Sequence, residues 1–185
     1  MVVHRVAHLN ADAEPALNEP VHAAPVFVVI GCGNLNRSDD AVGVRVIQQL
    51  RIAFGGTLPG GVRLFDAGTG GMEVMFQARG AKVLVIVDAC RSGSDPGAIF
   101  RLPGSEVNSV HQPAYSLHDF RWDHAVHAGR QIFGAAFPSD LTVYLIEAGS
   151  LALGTELTAP ASRAVGTVCG LVAQQIRDWS AAQVV

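Results

Sequence analysis

Several carboxylates in this sequence each follow closely on a short apolar run. Asp39 and Asp40 come after VFVVIGCGNLNRS, Asp66 follows VRLF, Asp88 closes KVLVIV, and Glu147 closes VYLI. A candidate imidazole, His118, lies later in SLHDF, with His111 in VHQP as its rival. Carboxylate oxygens and one imidazole nitrogen suit a borderline divalent metal such as zinc, nickel or manganese, and Asp40, Asp88 and His118 together would leave coordination positions open. Asp88 carries the argument furthest, because a carboxylate at the end of a buried strand is costly unless it is paired or binds a cation. Plainer readings stand beside each. Asp40 could cap a helix, Asp88 could form a turn, and His118 could be a satisfied histidine at a helix start. His124 and His127 lie three apart on one helix face and read as solvated.

The stretch GCGNLNRSDDAVGV raises a competing possibility. Its glycines resemble a phosphate-cradling loop, but the dinucleotide pattern would need Gly or Ala where Asn36 stands. Phosphate at a helix start is held by free N–H groups and the positive end of the helix dipole. Two carboxylates at that place oppose it, so a cation site is the better reading. There is no HExxH and no GxSxG, and no local Cys-His or Ser-His pairing suggests a nucleophile. The three cysteines, Cys32, Cys90 and Cys169, have no CxxC spacing. That argues against a disulfide framework and fits a reducing, cytoplasmic setting, with small buried thiols.

These residues need a scaffold that gathers strand ends. Apolar runs at 26–31, 61–68, 82–89 and 140–149 alternate with helical spacing at 41–54, 71–80, 116–133 and 158–179, and 97–103 reads as an edge strand. The 116–133 helix is expected to open with Ser116 and Asp119 as a capping-box variant. Near-continuous apolar strands separated by helices predict an α/β fold, a mostly parallel sheet covered on both faces. Ligands then sit beyond the carboxyl ends of the strands, at a topological switch point. A chain of 185 residues suits one domain over 26–185, preceded by a poorly ordered leader at 1–25. Hydrophobic residues at 49% and charged residues at 16% exclude a disordered chain. A net charge of −3 gives no reason to expect nucleic acid. No apolar run approaches the length of a membrane span.

GCGNLNRSDDAVGV, FDAGTGG, VLVIVDA and LHDFRWDHA, in this order, resemble the hydrogenase maturation endopeptidases. The resemblance runs from about Val26 to the last helix, and its first block is the most specific. It implies a three-layer αβα sandwich with a mostly parallel, twisted central sheet. It also implies an endopeptidase that removes a C-terminal extension from the large subunit of a nickel–iron hydrogenase after nickel insertion. The family's metal-contacting acid, strand-end Asp and later His match Asp40, Asp88 and His118. Asp66 matches a further acid at the edge of the site, and Gly33, Asn34, Asp39, Gly68 and Thr69 are the expected substrate-facing positions. The nickel is implied to come with the immature large subunit, which is the partner, and no organic cofactor is implied. The metal would polarise the scissile carbonyl or activate a water, with Asp39 or Asp66 as proton acceptor. Three departures stand out. Asn36-Arg37-Ser38 is more polar than the usual loop, Ala41 replaces a frequent Gly, and the common His-Gln pair appears at His111-Gln112 while position 118 reads His-Asp. His118 is preferred because a helix start can aim its imidazole back at the strand ends. A metal hydrolase with its own zinc, or a nickel-dependent checkpoint protein that binds without cutting, are the alternative readings.

Overall fold

The computed structural model describes residues 26–107 and 121–183. The ends of the chain and 108–120, which contain His111 and His118, lie outside the described residues. Five strands form one sheet: β1 (Phe27–Cys32), β2 (Val62–Gly68), β3 (Val83–Cys90), β4 (Ile99–Pro103) and β5 (Asp140–Glu147). Their spatial order is β2-β1-β3-β5-β4, parallel except for β4, which runs antiparallel along β5 at the edge. Helices α1 (Val42–Ala53), α2 (Gly71–Ala78), α3 (Trp122–Phe133) and α4 (Ala159–Ala182) cover the two faces. The expected three-layer α/β architecture is the observed one.

The strands are apolar throughout because both faces are covered. In β1 alone, Phe27 and Val29 enter one core with Val46, Ile47 and Leu50 of α1 and Val168, Val172 and Ile176 of α4. Val28 and Ile30 enter the other, with Val74 and Met75 of α2 and Ala125 and Val126 of α3. That alternation is the period-2 geometry of a strand applied to a sandwich. Among the described residues no helix is long and apolar enough to cross a membrane.

The sheet order places the switch point between β1 and β3, since the chain leaves β1 for β2 on one side and returns to β3 on the other. Helix α1 is drawn unusually close to this point. A Cβ at Gly43 would collide with the carbonyls of Val87 and Cys32 and stand 2.6 Å from the Cys32 nitrogen, and a Cβ at Gly31 would meet the Gly43 carbonyl. The two glycines therefore serve helix–strand contact. Gly43→Ala is expected to cost about 3 kcal/mol by overpacking, read as a lower urea midpoint at unchanged slope. A loss below about 0.5 kcal/mol would show that α1 shifts freely.

One helix boundary differs from expectation. The spacing predicts a helix over 116–133, but Arg121 is extended (φ −83, ψ 172) and α3 begins at Trp122. The Arg121 carbonyl accepts the first helical bond, from the Ala125 N–H at 3.0 Å. The capping pattern Ser116 to Asp119 thus does not start α3, and position 118 does not open it.

Candidate active site

The loop after β1 consumes its own donors. Gly33 donates to the Gly68 carbonyl at 2.8 Å, the Asn34 N–H to Asp40 Oδ2 at 3.1 Å, and the Asn36 N–H to Asn34 Oδ1 at 2.9 Å. No nest of free N–H groups remains here for a phosphate. Gly33 has φ +130, and a Cβ there would strike the Asp40 carbonyl, so the loop folds back onto the 3-10 turn Ser38–Ala41 only with glycine at that position.

That turn separates the two adjacent acids. Asp39 is fully buried. Its carboxylate accepts from the N–H groups of Gly149 (2.8 Å), Ser150 (3.0 Å) and Thr158 (2.7 Å) and from the Thr158 hydroxyl (2.8 Å). Asp39 pins the loop between β5 and α4 to the start of α1. The expectation that it faces substrate or takes a proton is corrected, because it has no exposure and its oxygens are occupied. Asp40 points the other way, into a cleft, and caps neither the turn nor α1. Its plainer reading as a helix cap therefore falls away.

The cleft has a volume of about 560 Å³ and lies over the carboxyl ends of β1 and β3. Asp40, Asp88, Cys32 and Gly33 line it, with Gly68 and Thr69 from the end of β2, Cys90 and Arg91 after Asp88, and Leu151 from the loop that Asp39 holds. A smaller adjoining recess is bordered by Asn34, Asp66, Gly68 and Thr69. Asp66 is exposed and accepts from the Gly68 N–H at 2.9 Å, where a bulge shifts the β1–β2 register. So the structure gathers Gly33, Asp40, Gly68, Thr69 and Asp88 at one cleft, places Asn34 and Asp66 on its border, and removes Asp39 from it.

Asp88 is the perturbed group. Burial raises its pKa from 3.8 to about 6, and the nearby Asp40 adds to the rise. The Ala89 N–H, donating to Oδ1 at 2.8 Å, and the Arg121 charge act against it without cancelling it. Two carboxylates sharing a partly desolvated cleft want a cation between them. Among the described residues no three His, Cys, Asp or Glu side chains converge on a metal position. Asp40 and Asp88 are two oxygen donors, and the third expected ligand, His118, lies outside the described residues, as does its rival His111.

The thiols at the cleft are held neutral. Burial, reinforced by Asp88 and Asp66, raises Cys32 well above its usual value. Cys90 is pushed up to about 12 by burial and by Glu147, whose Oε2 accepts its S–H at 3.2 Å. Neither supplies the thiolate that a cysteine nucleophile needs. Glu147, gathered by sequence with the strand-end acids, is a structural group. It accepts from the N–H groups of Ser92 and Gly93 and the Ser92 hydroxyl, which lower it to about 2. His124 and His127 are half-buried in α3 and each interacts within the protein, so the solvated reading is corrected.

Two cleft residues had not been singled out in the sequence, Arg121 and Trp122. A helix running through them would have set them in its second turn. The signal that could have found them is the pairing of a cation with an aromatic next to the histidine block.

Comparison with known proteins points to one family. The family model described as hydrogenase maturation protease (HycI) matches residues 44–175. The Hydrogenase 2 maturation protease of Escherichia coli is 32% identical over 118 residues, 63% of this chain and 70% of that protein. The hydrogenase expression/formation protein HupD of Thiocapsa roseopersicina is 36% identical over 83 residues, 45% of this chain and 37% of that protein. The match thus spans well under half of that second relative. Among solved structures, the hydrogenase maturating endopeptidase HybD from E. coli superposes with a TM-score of 0.70 at 28% identity, covering 83% of this chain and 93% of that one. The nickel–iron hydrogenase maturation protease HycI from Thermococcus kodakarensis, at 19% identity, covers 82% of this chain and 92% of that one with a TM-score of 0.64, and shares the fold.

Proposed function

This chain belongs to the hydrogenase maturation protease family and is a peptidase of hydrogenase maturation, and from that premise we propose how it acts. It cuts the large subunit of a nickel–iron hydrogenase, removes a C-terminal extension, and does so once nickel has been inserted. The observation that carries this reading is the convergence of Asp40 and Asp88 on one cleft at the switch point, with Asp88 poised near neutral pH.

The nickel is part of the substrate. Asp40 and Asp88 meet it through oxygens, and the imidazole of His118, or of its rival His111, supplies the nitrogen, giving the oxygen and imidazole set that suits such a cation. Bound there, the cation polarises the neighbouring peptide carbonyl. The chain's own residues do the rest. Asp40 is kept in place by the Asn34 N–H, Asp88 by the Ala89 N–H, and the loop that carries Leu151 by the buried Asp39. Asp66, an exposed carboxylate on the adjoining recess, takes the proton of the attacking water, since Asp39 is fully buried and out of reach.

The test is the intact mass of the immature large subunit after incubation with this protein, with and without nickel loading. Loss of a C-terminal peptide from the loaded subunit alone is the expected result. A subunit that remains full length in both states, while still binding the protein, would overturn the endopeptidase reading and favour a checkpoint role.

A further inference from the structure

Two residues of the cleft wall have no part in the reading above, Arg121 and Trp122. Trp122 is 8% exposed, and its indole N–H is buried without a hydrogen bond. A buried donor left unmade is costly, and a ligand acceptor would recover that cost. The indole lies near Asp88 and weakly favours its charged form, yet no hydrogen bond of full geometry joins them. Arg121 precedes it. The guanidinium is close enough to Asp88 and Cys32 to act on both. Among the described residues its one ion pair is a long one, Nε to Asp123 Oδ1 at 3.8 Å, on a side chain that is 66% exposed. A half-engaged cation and an orphaned N–H, adjacent in sequence, thus line one cleft with two acids.

Peptide hydrolysis makes negative charge in that cleft. The water oxygen joins the carbonyl carbon, the C–N bond breaks, one water proton goes to the departing amine, the other passes by way of Asp66 to solvent, and the carbonyl oxygen ends as part of a carboxylate. Donors placed where that charge builds, beside the cation that Asp40 and Asp88 meet, lower its cost. We propose that Arg121 and the Trp122 indole N–H bind the carbonyl oxygen of the scissile peptide and hold it as it becomes the carboxylate of the trimmed subunit. The proposal rests on the endopeptidase reading.

The test uses the full chain carrying Trp122→Phe, Arg121→Gln or Arg121→Lys, with nickel-loaded immature subunit and single-turnover cleavage read by intact mass at varied enzyme concentration. Unfolding midpoints check that each variant is folded, and Arg121→Gln keeps the test open should Trp122→Phe fail to fold. Trp122→Phe and Arg121→Gln are expected to lower the maximal rate about 100-fold with little change in the half-saturating concentration, and Arg121→Lys to recover part of it. Arg121→Gln should also weaken binding of the trimmed subunit more than binding of the uncut one, because the carboxylate carries the larger charge. Maximal rates within about 2-fold of wild type, or losses confined to half-saturation, would overturn the proposal. A wild-type protein that fails to shorten the subunit would instead refute the underlying reading.

Discussion

Asp88→Asn should abolish cleavage and yet make the protein more stable at neutral pH. The side chain keeps an oxygen for the Ala89 N–H but loses the charge that a nickel centre needs. The expected loss of rate is at least about 100-fold, beyond what removing a supporting residue of a metal site costs. The stability effect follows from the sign of the pKa shift. The folded carboxyl titrates near 6 and its ordinary value is 3.8. Between these pH values the folded state holds the proton more tightly than the unfolded chain, so wild-type stability falls as pH rises through that interval. Above it the wild type carries a partly desolvated charge that the amide does not. Urea unfolding at pH 7.5 should therefore place Asp88→Asn about 2 kcal/mol above wild type, a gap that closes below about pH 4. A variant less stable at pH 7.5 would mean that the charge is already balanced within the protein.

Asp39→Ala should fail in the opposite manner, through the fold. Removing this carboxylate takes away the acceptor of three part-buried hydrogen bonds from the N–H groups of Gly149, Ser150 and Thr158, and of a fourth from the Thr158 hydroxyl. Each such bond lost costs on the order of 0.5–1.5 kcal/mol, and the sum is expected at about 3 kcal/mol. The amides of Gly149, Ser150 and Thr158 should lose hydrogen-exchange protection before the core does. Activity falls as a consequence, because Leu151 and the wall it belongs to are held through this contact. A loss below about 1 kcal/mol with unchanged exchange would contradict the assignment. The pair Asp39 and Asp40 thus divides a single acidic dipeptide into a structural group and a cleft group.

That division was not legible in the sequence. Adjacent acids look alike until the 3-10 turn points one inward and the other into the cleft, and the partners of Asp39 lie more than a hundred residues away. The strands, by contrast, declared themselves, since VFVVI and KVLVIV must be covered on both faces to escape water. Their order placed the site as well, because Asp40 and Asp88 follow the two strands that flank the switch point. Glu147 shows where the strand-end rule stops working. It closes β5 as Asp88 closes β3, but the turn at Ser92 and Gly93 folds over it and takes its oxygens. In the sequence Gly31 and Gly43 are only parts of the GCGNLNRSDDAVGV block, and their shared purpose, the close approach of α1 to β1, emerges only from packing. Arg121 and Trp122 were hidden by a helix boundary, for periodicity alone does not reveal one extended residue ahead of α3.

The most direct measurement of the central claim is nickel K-edge X-ray absorption on the nickel-loaded immature subunit, alone and freeze-quenched with this protein. Meeting the nickel through Asp40 and Asp88 predicts added oxygen scatterers in its first shell, reduced when either residue is replaced by Asn. A spectrum that does not change on mixing, or one that changes equally with both carboxylates replaced, would contradict the account.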